Sequence, residues 1–193
     1  MNNPLDPGYY CSEELRSFGF KAVGENVRIS RNCVVIGPQN ISLGDNIRID
    51  SGTTIIATGG RLTLSGFNHI GGQCHFCVAA DLTFDEYSGT SQGVRIYTAS
   101  DDLGGRSSQP VVARAIEIAA FVGIGSSSVI LPGAHIREGS VIGALSLVNR
   151  PLRPWGVYHG NPVKRINDRP RDIQAMLHAV QRRLGVRELK LAS

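Results

Sequence analysis

Five sixes stand end to end late in the chain: Ile118-Ala119-Ala120-Phe121-Val122-Gly123, Ile124-Gly125-Ser126-Ser127-Ser128-Val129, Ile130-Leu131-Pro132-Gly133-Ala134-His135, Ile136-Arg137-Glu138-Gly139-Ser140-Val141 and Ile142-Gly143-Ala144-Leu145-Ser146-Leu147. An aliphatic residue opens each one, and a small residue follows four places later in most of them. A period of six matches neither the 3.6 of a helix nor the long alternation of an ordinary strand. It matches a short strand, a tight corner and another short strand, and three such sides close one triangular coil. The aliphatic and the small residue point inward, so stacked coils bury a continuous column. Gly and Asn suit the corners, where left-handed backbone is needed.

Working outward, the same beat runs through Val23-Gly24-Glu25-Asn26-Val27-Arg28 and Ile29-Ser30-Arg31-Asn32-Cys33-Val34. It continues through Leu43-Gly44-Asp45-Asn46-Ile47-Arg48 and Ile49-Asp50-Ser51-Gly52-Thr53-Thr54. Thr58–Arg61 and Val78–Asp81 are short adjustments at corners. Ser100 to Arg114 is polar, holds Gly104-Gly105 and Pro110, and matches no hexad, which predicts a protruding loop that covers or completes a binding site. After the coils, Ile173, Met176, Leu177, Val180 and Leu184 form a helical stripe between Asp168, read as the cap, and the stop Gly185. Pro170 falls in the first turn of that reading. The expected organisation is a lead-in over 1–22, an all-β parallel β-helix over 23–166 with the loop 100–114, and a C-terminal helix within 167–193.

The 193 residues suffice for one domain with a small appendage. Hydrophobic residues at 41% are too many for a disordered chain, and no apolar run is long enough to span a bilayer. Met1-Asn2-Asn3-Pro4-Leu5 lacks the basic start and apolar core of a secretory signal, so a cytoplasmic protein is expected. The net charge of +4 is weighted toward the end, in Arg150, Arg153, Lys164, Arg165, Arg169, Arg171, Arg182 and Arg183. No aromatic residues interleave a basic run, so a phosphorylated small ligand is expected rather than nucleic acid. Four cysteines are too few and too unevenly placed for a disulfide framework. Cys74-x-x-Cys77 beside His69 and His75 has zinc-ligand residue types, but Cys33 and Cys74 occupy the small inward place of a hexad, where a buried thiol fits. No metal is expected.

The hexads, followed by Gly160-Asn161-Pro162-Val163-Lys164-Arg165-Ile166, resemble the hexapeptide-repeat acyltransferases. Glu13-Glu14-Leu15 with Gly19-Phe20-Lys21, Ile96-Tyr97-Thr98-Ala99-Ser100-Asp101-Asp102, and Pro154-Trp155-Gly156-Val157-Tyr158 resemble the bacterial branch linked to surface polysaccharides and deoxysugars. The resemblance implies a left-handed coil, a homotrimer with sites between subunits, and transfer of an acetyl group from acetyl-CoA to a sugar hydroxyl or amine. It implies a nucleotide sugar or polysaccharide precursor as acceptor.

Carried over by motif, Ser126 and Ala144 line the pantetheine arm, Asn149 and Arg150 follow the final hexad, and Lys164 is the basic residue of the terminal segment. Small residues admit a thin chain, and cations meet the phosphates of coenzyme A. Many relatives carry a basic His where this chain has Asp101. The resemblance therefore passes the role of general base to His69 of Asn68-His69-Ile70, with His75, six residues on, as the reserve. Asp101 or Asp102 would orient the imidazole or hold the acceptor. Trp155 and Tyr158 are expected to pack where the chain leaves the coils. Two alternatives stay open: a metal-dependent β-helix enzyme of the γ-carbonic-anhydrase type, which needs three His ligands, and a non-catalytic scaffold.

Overall fold

A computed structural model describes residues 5–101 and 111–185. The backbone winds into a parallel β-solenoid of three sheets. The first face carries Arg28–Ser30, Arg48–Ile49, His69–Ile70, Gly89–Thr90, Gly123–Ile124, Val141–Ile142 and Gly156–His159 in parallel succession. An antiparallel strand closes it at each end, Tyr9–Tyr10 below and Lys164–Asp168 above. The second face runs from Ala22–Val23 to His135–Ile136, and the third from Val34–Ile36 to Leu147–Val148.

The hexad reading holds in detail. Ile55, Phe76, Ile96, Ile130 and Val148 stack inward on the third face and are almost wholly buried. The small inward residues knit successive coils together. Ser128 donates to the Gly143 carbonyl at 3.0 Å and Thr53 to the Gly71 carbonyl at 3.0 Å, so the buried hydroxyls are satisfied. The adjustments at 58–61 and 78–81 stack on one another. A Cβ on Gly60 would meet the Ala80 carbonyl carbon at 2.2 Å.

One corner departs from expectation. Asn26 and Asn46 adopt positive φ there as foreseen, and the Asn26 side chain donates to the Asn46 Oδ1. Above them Phe67, Tyr87, Phe121 and Trp155 adopt positive φ too, which bulky residues seldom do. Their packing explains it. Phe67 stacks on Tyr87 at 4.9 Å between centroids, and Tyr87 stacks on Phe121 at 5.1 Å. Trp155 lies against Gly139, where a Cβ would meet its ring at 2.4 Å. This aromatic corner is the seat of the C-terminal helix.

Near the start, helix α1 (Ser12–Arg16) buries Leu15 against the coils. Helix α2 (Ile173–Leu184) buries Met176, Leu177, Val180 and Leu184 against Tyr87, Phe121 and Trp155, as the stripe predicts. Its start is later than expected. Asp172 is the cap, accepting from the Ala175 N–H at 2.9 Å, and Gly185 ends the helix in left-handed backbone. Asp168 instead ends the antiparallel strand, its carboxylate held by Arg165 at 2.6 Å. Arg169 precedes a proline, which disfavours helical backbone, and its N–H continues the pairing to the Trp155 carbonyl at 2.9 Å. No helix among the described residues is long and apolar enough to cross a membrane.

The loop at 100–114 leaves the solenoid as an antiparallel pair, Ala99–Asp101 with Val111–Ala113. Asp102 and residues 103–110 lie outside the described residues.

Candidate active site

On the first face, the residue preceding each inward aliphatic points outward, and parallel pairing stacks these positions. The column reads Arg28, Arg48, His69, Gly89, Gly123, Val141 and Val157. Two basic residues therefore lie directly below His69, and two glycines directly above it. The glycines remove side chains where they would fill the surface. A groove of about 330 Å³ results, lined by His69, Gly89, Thr90, Ser91, Gln92, Gly123 and Gly125, with Arg183 of α2 at its edge.

His69 is held from below. Its Nε2 lies 2.7 Å from Asp50 Oδ2 and 3.0 Å from Arg48 Nη2. Arg48 Nη2 can only donate and has Asp50 Oδ2 as its acceptor at 3.0 Å, whereas an unprotonated Nε2 would set two acceptors against each other at the shorter Asp50 contact. The network therefore assigns the Nε2 proton to the bond with Asp50, leaving Nδ1 as the acceptor nitrogen. Asp50 also accepts from Arg48 Nε at 2.8 Å, Arg48 Nη2 at 3.0 Å and the Tyr9 hydroxyl at 2.9 Å. Burial by itself would raise the Asp50 pKa. The hydrogen bonds from His69, Arg48 and Tyr9 and the His69 charge outweigh it and hold the carboxyl well below the usual carboxylate range.

That depression has a measurable consequence. A lowered folded-state pKa gives stability that is present above the unfolded carboxylate value, about 4, and is lost as pH falls below it. The stability difference between wild type and Asp50→Asn, from urea unfolding, should stay level from about pH 8 to about pH 5 and shrink at lower pH. A difference that grows on acidification would contradict this assignment.

Helix α2 is tied into the same network. Arg48 Nη1 donates to the Arg183 carbonyl at 2.9 Å, and Arg28 Nη2 to the Leu184 carbonyl at 2.6 Å. These are free carbonyls at a helix C-terminus, where a guanidinium is well placed. Arg169 likewise spans two coils, donating to the Phe121 and Gly139 carbonyls at 2.7 and 3.0 Å. Asp50, Arg48 and Ser91 escape the sequence reading as site residues, and Arg183 enters it only among the late basic residues read toward a phosphorylated ligand. Arg48-Ile49 and His69-Ile70 share one pattern, and that repeat was the available signal.

The other predicted residues separate into groups. Ser126 and Ala144 fall on the same corner of successive coils beside the groove, linked by the Leu145 N–H to the Ser126 carbonyl at 2.9 Å. Asn149 is exposed at the far end of the third-face strand Leu147–Val148, and Arg150 donates to the Val163 carbonyl at 2.8 Å, next to exposed Lys164. His75 is on the third face, with Nε2 3.1 Å from Cys77 Sγ, and does not reach the groove. Asp101 is exposed on the hairpin that leaves the third face, so within the protomer it does not orient His69. Asp50 does.

Cys74 turns inward onto Thr90 and the Ser91 carbonyl, away from Cys77. His69, His75 and His135 lie on three different faces, so one ion cannot collect all three within a protomer. His135 pairs with Glu117 at 3.0 Å. Trp155 and Tyr158 pack as expected, Tyr158 donating to the Arg153 carbonyl at 2.8 Å.

No family model matches the chain. A dTDP-4-amino-4,6-dideoxy-D-glucose acyltransferase of Escherichia coli is 33% identical over 174 residues, covering 86% of this chain and 91% of that protein. AntD, an N-acyltransferase from Bacillus cereus crystallised with dTDP and 3-hydroxybutyryl-CoA, superposes with a TM-score of 0.81 at 29% identity, over 92% of this chain and 98% of that one. A variant of AntD holding dTDP-4-amino-4,6-dideoxyglucose and coenzyme A superposes at 0.80, again with 29% identity, over 91% and 98%. With the hexad solenoid and the groove beside His69 already in view, this likeness along nearly the whole length places the chain in the hexapeptide-repeat sugar acyltransferase family, whose members use acyl-CoA donors.

Proposed function

We propose that this enzyme acylates the amine of a dTDP-linked 4-amino-4,6-dideoxy sugar, with His69 as general base, at sites between the protomers of a homotrimer. The observation that carries the reading is a histidine fixed by a carboxylate at the end of a groove emptied by two glycines. The relatives that bind dTDP sugars and coenzyme A support the acceptor and donor. The pantetheine arm runs along the corner of Ser126 and Ala144, and Asn149, Arg150 and Lys164 receive the phosphates of coenzyme A. Its thioester reaches the hollow over Gly89 and Gly123.

In the reaction, the acceptor nitrogen attacks the thioester carbonyl while Nδ1 of His69 removes a proton from it. The tetrahedral intermediate collapses with loss of the coenzyme A thiolate, which takes the proton back from the imidazolium. No residue of the protein is acylated. Asp50 holds the ring in the tautomer this requires.

AntD has been crystallised with substitutions at one serine and at one aspartate ten positions further on. Ser91 and Asp101 are the only such pair with that separation in this chain. In our reading Ser91 and a neighbouring protomer's hairpin, with Asp101 and Asp102, hold the acceptor's amino group. The outward side of the third face supports the trimer: Val34, Ile36, Ile56, Tyr97, Val129 and Leu147 make it apolar and partly exposed. Cytoplasmic placement and a role in surface polysaccharide, including lipopolysaccharide, follow from the acceptor class.

Thiol release from acetyl-CoA and longer acyl-CoAs, measured with a panel of dTDP-amino sugars and their hydroxy counterparts, tests the reading. Turnover is expected with the amino sugars, and turnover only with hydroxy sugars would overturn it. Gly123→Val gives a sharper check, because a Cβ there meets nothing within 4 Å and intrudes only on the groove. The variant should keep its melting temperature and lose about tenfold or more in kcat/KM for acyl-CoA.

A further inference from the structure

Four guanidiniums, those of Arg28, Arg48, Arg169 and Arg183, lie where helix α2 meets the solenoid, and one of them, Arg48, pairs with the carboxylate of Asp50. Three are committed. Arg48 serves Asp50 and a helix carbonyl, Arg28 a helix carbonyl, and Arg169 two carbonyls. The fourth is not. Among the described residues, the Arg183 guanidinium makes no hydrogen bond and no ion pair. It reaches over the groove, with Nη1 3.3 Å from where a Cβ on Gly89 would stand. Arg182, also exposed, does not line the groove, so the helix presents one cation there.

Arg183 is exposed, but the backbone that carries it is anchored. Its own carbonyl is fixed by Arg48, the next one by Arg28, and Leu184 and Val180 are buried on either side of it. Crowding and then the Arg48 charge push its pKa below the ordinary value. The Arg28 Nε–H is buried without a partner.

We propose that Arg183 binds the diphosphate of the nucleotide-sugar acceptor, delivered to the groove by helix α2 as its fixed mount. This deepens the proposed function and rests on its acceptor assignment. The alternative anion, the diphosphate of coenzyme A, lies at the far end of a long pantetheine arm. A thioester placed beside His69 therefore keeps that diphosphate away from Arg183. In a nucleotide sugar only one ring separates the reacting amine from the phosphates, which suits the short span between His69 and Arg183. A guanidinium matches two phosphate oxygens at once, which an ammonium does not.

The test measures equilibrium binding of dTDP and of coenzyme A, and the KM for each substrate, in wild type, Arg183→Gln and Arg183→Lys. Arg183→Gln should weaken dTDP binding and raise the acceptor KM by about ten- to a hundredfold, with coenzyme A binding unchanged. Arg183→Lys should recover part of that loss. If wild type and Arg183→Gln bind dTDP equally, the inference fails and the acceptor assignment stands. If wild type does not bind dTDP at all, the acceptor assignment itself fails. If coenzyme A binding falls instead, or falls as much as dTDP binding, the cation serves the donor and the inference is overturned.

Discussion

His69→Asn should lose about a hundred- to ten-thousandfold in kcat, while dTDP and coenzyme A still bind and the fold is unchanged. Asn keeps a polar side chain but has no basic nitrogen, and with binding of both ligands retained the loss reports the missing base and not a collapsed pocket. Asp50→Asn should be less severe, since the base remains but its tautomer and orientation are no longer fixed by a carboxylate. Because Asp50 stays ionised well below neutral pH, an acid limb in the activity profile cannot come from its protonation. Steady-state kinetics with the dTDP-amino sugar checks both variants. If His69→Asn turns over at the parental rate, the base lies elsewhere, and Ser91 with Asp101 becomes the first place to look.

The largest effect on stability is expected at Phe76→Ala. Phe76 is wholly buried at the middle of the third face, stacked on Phe84 at 5.8 Å between centroids, with Ile55 and Ile96 on the coils below and above. Truncation removes the ring and leaves a cavity that rigid coils cannot close, at a cost of about 3–5 kcal/mol. Chemical denaturation should show this as a lower midpoint. In a solenoid each coil touches only its neighbours, so a defect in the middle also separates two halves. The transition should also broaden, and an unchanged midpoint would refute the packing argument.

The solenoid was legible because its rule is local. One aliphatic and one small residue in every six needs no knowledge of distant sequence, and Ile118 to Leu147 follow it almost without exception. The stripe of α2 was legible for the same reason. The site was only half legible. Coils that contain added corner residues repeat at 20 and 21 positions (Arg28 to Arg48 to His69), whereas Gly123 to Val141 spans 18, so counting alone does not stack Arg48 beneath His69 or bring Asp50 within its reach. Arg183 was further out of reach. It meets Arg48 across 135 residues, and only the aromatic corner, built from Phe67, Tyr87, Phe121 and Trp155 at positive φ, brings the helix back to that face. Local preference there favours Asn and Gly, and tertiary packing overrides it.

The two antiparallel strands on the first face bear on how such molecules behave when crowded. A stack of parallel coils offers fresh backbone donors and acceptors at top and bottom, and identical units would add to it as a growing fibre does. Tyr9–Tyr10 and Lys164–Asp168 run against the prevailing direction, so an incoming copy meets reversed polarity at both ends. Trimming either strand would expose an extendable template, and the shortened protein would polymerise end to end.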